Sequence, residues 1–493
     1  MKEAEVSVVE YVSGVIWEPT LVWLCLGTGL FFSIATRFVQ VRMFGEMFRL
    51  IFSSKESDRG ISSFQALAVS LSGRVGTGNI VGVAAAIGFG GPGAVFWMWV
   101  VAFLGASTAY IESTLGQIYK EEDDGQFRGG PAYYFEKALG QKWYAWLFAI
   151  TTIIAVGLLL PTVQSNAIGN AIEIAVGGGA VLDTVVGSVS QTKLITASLT
   201  VVTLGFIIFG GVKRIAHFTQ VVVPFMALGY VMMAAGVIIA NISLLPGVIV
   251  QIFGDAFTPM AGLGAAIGWG VMRGVYSNEA GQGSGPHAAA AAEVQHPAQQ
   301  GLVQAFSVYI DTLFVCSATA FMILITKQYY VEGIDAAISG GMMATSVEIN
   351  SPAFTQYAVQ AVIGGFGKVF VAVALFFFAF TTLLAYYYIA ETNVAYIRRT
   401  FRFPGELIII KIMLLGAVFY GTVRAADLAW ALGNIGVGVM AWLNIVGILI
   451  LFFLSKPAVK ALRDYERQRK AGVTEYTFDP EALGIKNADF WKK

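Results

Sequence analysis

Eleven stretches of the sequence, at 18–36, 62–88, 93–119, 143–168, 193–211, 218–240, 263–283, 299–326, 366–392, 404–421 and 427–454, are apolar over the length of a membrane crossing. A helix needs about 20 apolar residues to span the hydrocarbon core. In that solvent every backbone polar group must find a partner inside the protein. The spacing therefore predicts an all-α polytopic membrane protein with eleven transmembrane helices. Composition agrees: 56% of the 493 residues are hydrophobic and 13% are charged, against about 25% charged in a soluble domain. Water-soluble enzymes, disordered chains and nucleic-acid binders fit that balance poorly. The 56 glycines follow no collagen triplet. Cys25 and Cys316 each lie inside an apolar run, which suggests neither a disulfide framework nor a zinc site. The acidic start MKEAEVSVVE does not resemble a cleaved signal peptide.

The formal net charge is zero, but basic residues sort by loop, as the positive-inside rule requires. One side holds Arg37, Arg42, Arg49, Lys55 and Arg59, then Lys120, Arg128, Lys137 and Lys142. Lys213, Arg214, Arg398, Arg399, Arg402 and the tail from Lys456 to Lys493 follow on that side. The other side has only Lys2, Lys193, Lys327, Lys368 and Arg424. This predicts a multi-pass protein of the cell membrane with its amino terminus outside and its carboxyl terminus in the cytoplasm. The tail 455–493 reads as a solvated end, and the loop 327–365 as a segment that lies on the protein.

Two spans should not cross easily. The second carries SLSGRVGTGNIVGVAAAIG (Ser70–Gly88) and the seventh GLGAAIGWGVMRGVYSNEAGQGSG (Gly262–Gly285), both rich in glycine and each with an arginine. Interrupted helices persist in a membrane only where they are buried or line a cavity. With the first span set aside, ten remain, and an interrupted helix opens each half in opposite directions. That pattern predicts an inverted repeat of five and five with two discontinuous helices at its midplane. The divisions are 1–61, 62–240, 241–454 and 455–493. Gly78–Gly82, Gly264–Gly268 and Gly270–Gly274 are also GxxxG pairs, and close helix packing explains any single glycine equally well.

The strings SGRVGTGNIVGVAAAIGFGGPGAVFWMW, RGGPAYYFEKALG and GWGVMRGVYSNEAGQGSGPHAAAAAEVQHPAQQG resemble the alanine/glycine–cation symporter family, from the second span through the eleventh. The resemblance implies a leucine-transporter-like fold and sodium-coupled carriage of alanine or glycine. Sodium then acts as the coupling ion, and no other cofactor is implied. By that analogy the backbone amides of Thr77 and Gly78 receive the substrate carboxylate, as freed amides at a helix start can, with Asn79 beside them. Unwound carbonyls around Trp269, Gly270, Val271 and Met272 would accept from the ammonium, and Gln164 would add a polar contact. The resemblance places sodium among the carbonyls of Ser72, Val75 and Phe378 and the hydroxyls of Thr381 and Thr382. Oxygen-only ligands suit a hard cation. The alternative for both threonines is a bond back to their own helix.

Ionisable residues at membrane depth are functional suspects by default. Arg74 and Asp311 are similarly deep and are expected to pair as part of an inner gate, with Glu112 as a competitor. Arg273, Glu279 and Glu391 would form a second network nearer the cytoplasm. His217, His287 and His296 fall in connections, so histidine is not expected to carry protons across. No HExxH, GxSxG or P-loop pattern is present, and TGNIVG does not resemble a potassium filter. An enzyme and a channel are both disfavoured against a carrier for alanine or glycine, with the lipid bilayer as its surroundings and no nucleic-acid partner.

Overall fold

Hydrophobic length decides most of the architecture. The computed structural model describes residues 2–52, 60–123, 125–184, 187–402 and 404–492, with the backbone alone for 2–7. Lys55, Arg59 and Lys493 lie outside the described residues. The principal helices are α1 (Lys2–Ile16), α2 (Pro19–Ala35), α3 (Phe44–Phe52), α4 (Ser63–Arg74), α5 (Gly78–Gly90) and α6 (Ala94–Ile118). They continue as α7 (Lys142–Val176), α8 (Gln191–Ile208), α9 (Gly211–Ala240), α10 (Leu245–Phe257), α11 (Leu263–Asn278) and α12 (Gly285–Ala291). The last are α13 (Pro297–Thr326), α14 (Phe366–Arg398), α15 (Glu406–Val423), α16 (Ala426–Leu454) and α17 (Pro457–Lys470). Two short antiparallel hairpins, β1 (Glu121–Asp123) with β2 (Gln126–Arg128) and β3 (Val181–Thr184) with β4 (Gly187–Ser190), decorate the ends.

Among the described residues nine helices are long and apolar enough to cross a membrane. They match nine of the eleven apolar stretches, and the two left over are the glycine-rich ones. The chain is thus a multi-pass helical membrane protein with two interrupted helices.

The first interruption falls where the sequence places it. Ser62 starts α4 with a capping box: its hydroxyl accepts from the Gln65 amide at 3.2 Å, and Gln65 Oε1 accepts from the Ser62 amide at 2.9 Å. The helix ends at Arg74 because Val75 turns out of it, with φ −78° and ψ 85°. The chain resumes as a π-turn, Gly78–Gly82, before α5 settles into α geometry. Such wide turns are uncommon and cluster at functional sites.

The second interruption is displaced from expectation. Trp269 to Met272 lie inside the unbroken α11, so their carbonyls serve the helix and are not unwound. A Cβ on Gly270 would lie 2.5 Å from the Ala94 carbonyl, and one on Gly274 would clash with Val101. These two glycines therefore let α11 press against α6, the packing role of small residues. The break comes two to three turns later, at Glu279–Ser284. Glu279 takes a left-handed backbone (φ 57°), and Gly281 and Gly283 have φ 88° and 81°, a region open to glycine without a Cβ penalty.

The tail is not a solvated end. Tyr465, Phe478, Ile485 and Ala488 are buried. Tyr465 donates to Glu46 of α3 at 2.5 Å, Trp491 Nε1 to the Gln117 carbonyl at 2.9 Å, and Asn487 to the Lys137 carbonyl at 2.8 Å. His296 meets Asp464 at 3.3 Å. Apolar side chains scattered through a charged sequence give the tail a face to bury. Lys120 sits beneath it, 4.5 Å from the ring centres of Phe127 and Phe490 and 5.3 Å from Trp491, and donates to the Ala292 carbonyl at 2.8 Å. Removal of residues 471–493 is expected to lower the melting temperature in detergent, since it strips two rings from this buried cation.

Burial pushes the Lys120 ammonium from 10.5 down to about 7. Between those two values the unfolded chain holds more protons than the folded one, so stability should rise with pH through that window. Melting curves of Lys120→Met, which lacks the charge, should show a flatter slope there.

Candidate binding site at the helix breaks

An oxygen cluster lies where α4 ends against α14. Thr382 Oγ1 is 2.8 Å from the Ser72 carbonyl and 3.0 Å from the Phe378 carbonyl. Thr381 Oγ1 is 2.9 Å from the Phe377 carbonyl and 3.1 Å from that of Phe378. Both threonines thus bond back to their own helix, but Thr382 also reaches across to α4. Ser72, Val75, Phe378, Thr381 and Thr382 are all buried. Among the described residues no three His, Cys, Asp or Glu side chains gather as for a metal ion. The neutral carbonyl and hydroxyl oxygens are the donor set here.

On the other side of the same break lies an amide cradle. Thr77 donates through both its backbone N–H (3.0 Å) and its hydroxyl (2.7 Å) to Gln164 Oε1 of α7. The Gly76 amide donates to Asn79 Oδ1 at 2.8 Å, while Asn79 Nδ2 donates to Asp311 Oδ1 at 2.6 Å. Asp311 also accepts from Ser277 at 3.0 Å and from Thr312 at 2.7 Å. Side chains of both interrupted helices and of α13 thus meet at one carboxylate. The phenols of Tyr276 and Tyr386 approach Gln164.

Gly76 joins the two groups. A Cβ there would run into Thr382 Oγ1 and lie 3.1 Å from Gln164 Oε1. Gly78 has a different role, because its Cβ would sit 3.0 Å from Ser277 Cα, where the interrupted helices cross. Of the residues expected around a ligand side chain, Trp269 and Met272 line a cavity of about 550 Å³. Gly270 packs on α6 and Val271 is buried away from that space.

The expected gate pair is not formed. Arg74 Nη1 donates to the Gln304 carbonyl at 3.0 Å and to Ser307 Oγ of α13. Among the described residues no carboxylate lies within 4.0 Å of it, and its Nε and Nη2 have no hydrogen-bond partner. The physical reason is the π-turn Tyr309–Cys316 in α13. One extra residue per turn rotates Asp311 away from Arg74 and toward Asn79 and Ser277. Glu112 does not pair with Arg74 either. Its carboxylate accepts from the amides of Gly281 and Gly283 (both 3.2 Å) and from Asn444 Nδ2 (2.7 Å). It thereby satisfies backbone donors that the second break sets free.

Arg273 is separated from Glu279 and Glu391. It lines the 550 Å³ cavity with Glu332 and Asp427, whereas Glu279 accepts from Ser284 at 2.8 Å and Glu391 meets Arg128 at 3.3 Å. The sequence reading did not single out Ser277, Thr312, Tyr276 or Tyr386. Ser277 stands directly before the true break in YSNEAGQGSG, and that polar run was the available signal.

A membrane bundle whose two interrupted helices meet beside a buried oxygen cluster and a set of backbone amides has the organisation of a secondary transporter. The model of the sodium:alanine symporter family matches residues 1–480. YrbD of Bacillus subtilis (strain 168) is 56% identical over 485 residues, covering 98% of this chain and 96% of that protein. The sodium/proton-dependent alanine carrier protein of Bacillus sp. (strain PS3) is 47% identical over 450 residues, 90% and 97% of the two chains. Among solved structures, MhsT in complex with L-phenylalanine aligns with a TM-score of 0.49 and 14% identity over 83% of this chain and 99% of that one. The chain belongs to the sodium:alanine symporter family, and it is a transporter rather than an enzyme.

Proposed function

We propose that the chain imports a small neutral amino acid, alanine or glycine, together with sodium by alternating access. In this reading the membrane part is one amino-terminal span followed by an inverted repeat of five and five. The amino terminus is outside, and the tail face is cytoplasmic. The observation that carries the reading is the position of Gly76, with the oxygen cluster on one side and the Thr77–Gln164 contact on the other.

Sodium takes the carbonyls of Ser72, Val75 and Phe378 with the hydroxyls of Thr381 and Thr382, and so fixes the unwound turn. The substrate carboxylate replaces Gln164 Oε1 at the Thr77 and Gly78 amides. The last-turn carbonyls of α11, at the negative end of that helix, receive the ammonium. They take over the role first expected of Trp269–Met272. Asn79 orients the turn through Gly76. Arg74, anchored on α13, holds the tail side shut until both ligands are bound. Inward sodium movement supplies about 2.3 kcal/mol per charge for each 100 mV.

Labelled alanine uptake into proteoliposomes tests this: an inward sodium gradient should drive accumulation, and a potassium gradient should not. A second reading, proton coupling, is favoured by Asp311, which is buried with no basic group within 4.0 Å among the described residues. An acidic exterior without sodium would then drive uptake, and Asp311→Asn would abolish that component.

A further inference from the structure

The chain leaves its second helix by a strained turn. α2 ends at Ala35, and Arg37 and Phe38 both take left-handed backbones, with φ 56° and 53°, a region that a Cβ enters at a steric cost. Arg42 holds the turn: its Nη2 donates to the Thr36 carbonyl at 3.0 Å and its Nε to the Arg37 carbonyl at 3.2 Å. The α3 helix follows, and its two faces differ. Glu46, Met47 and Leu50 are buried, whereas Phe44, Phe48 and Phe52 are 47, 52 and 75% exposed. A four-residue spacing puts those rings on one side of the helix. Phe44 and Phe48 lean on Phe306 of α13, at 5.5 and 6.2 Å between ring centres, and Phe48 meets Phe52 at 5.0 Å.

The exposed rings extend a surface that begins on α2. Trp23, Leu30 and Ile34 face outward from that span, and Phe38 and Val41 carry the apolar surface through the turn. What covers a membrane-crossing helix is hydrocarbon, and an amphipathic helix that continues its outward face beds into the same leaflet. Charge then selects the lipid. Three arginines here share two carboxylates: Arg42 meets Glu466 at 2.7 Å, while Arg49 and Arg469 meet Glu46 at 2.6 and 3.7 Å. A fourth, Arg37, is exposed, and its guanidinium has no hydrogen bond or ion pair among the described residues. A surplus of positive charge at the end of a span attracts anionic headgroups.

We propose that the end of α2 and α3 form a seat for an anionic phospholipid, with its headgroup on Arg37 and its acyl chains along Phe44, Phe48 and Phe52. The seat belongs to the leaflet on the tail side, since Glu46 on the opposite face of α3 accepts from Tyr465 of α17. Phe306, on which the rings lean, is followed by Ser307, which accepts from Arg74. A lipid seated here therefore bears on the anchor of α4.

Thermal unfolding of the full chain in detergent, titrated with phosphatidylglycerol or with phosphatidylcholine of the same acyl chains, tests the seat. Phosphatidylglycerol should stabilise at several-fold lower concentration. Arg37→Gln should weaken its binding roughly fivefold, the worth of one basic residue at an anionic surface, and leave phosphatidylcholine unaffected. Lys213→Gln removes an exposed basic residue at the start of α9 and should alter neither lipid. Phe52→Ser should weaken both lipids alike. Arg37 and Phe52 are exposed, so neither variant strips a buried contact that folding needs. Equal action of the two lipids, or an equal loss in Arg37→Gln and Lys213→Gln, would overturn the proposal. Inorganic phosphate that stabilises as well as phosphatidylglycerol at the same concentration would overturn it too, in favour of a site for a free anion.

Discussion

Gly76→Ala is expected to abolish sodium-driven alanine uptake. The added methyl would occupy the space of Thr382 Oγ1 and press on Gln164 Oε1 at 3.1 Å, so it strikes the proposed ion and substrate groups together. Separating Thr382 from the Ser72 carbonyl leaves that buried oxygen without its partner, at about 1–3 kcal/mol. A loss of that size corresponds to roughly five- to a hundredfold in apparent affinity, at about 1.4 kcal/mol per tenfold. Gly76 lies in the unwound turn and its backbone is not in the left-handed region, so the contacts of the methyl, not backbone strain, decide the outcome. Gly236→Ala, in α9, where a Cβ meets nothing within 4 Å, is the matched control and should transport normally. Uptake by the two variants, normalised to protein in the vesicles, makes the comparison.

Glu112→Ala is expected to destabilise the folded protein by about 3–5 kcal/mol, the cost of stripping the partner from several buried donors. The amides of Gly281 and Gly283 and the Asn444 side chain all depend on that carboxylate. Among the described residues those two amides have no other acceptor, and the left-handed turns of the second break offer none within the backbone. Glu112→Gln retains one acceptor oxygen and should fall between. Glu122→Ala, at an exposed position in β1, should change the melting temperature little. Thermal unfolding in detergent reads all three.

Hydropathy reports the solvent of a segment, so nine spans and the two anomalous ones were legible from residues alone. The clustering of Ser72, Phe378 and Thr382 was legible only through the family resemblance, because no spacing rule links residues 72 and 382. Glycine was ambiguous by nature. At Gly281 and Gly283 it serves a left-handed backbone, whereas at Gly270 and Gly274 it serves a helix crossing, and the sequence writes both alike. This ambiguity put the second break a turn or more too early. The Arg74–Asp311 pair failed for a different reason: an α-helical projection of 299–326 cannot foresee the π-turn that rotates Asp311. The tail misled because its charges are frequent while its anchors, Tyr465, Phe478 and Trp491, are few.

In the proposed mechanism the coupling ion and the substrate are held on opposite sides of one unwound turn. Sodium activation of alanine uptake, measured in proteoliposomes for the parent chain and for Thr382→Ala, tests it most directly. Half-maximal sodium should rise roughly tenfold or more in Thr382→Ala, for a loss of about 1.5 kcal/mol or more. Thr381→Ala combined with it should raise the requirement further, while uptake at saturating sodium survives. An unchanged sodium requirement in both variants, with transport intact, would remove the ion from this oxygen cluster.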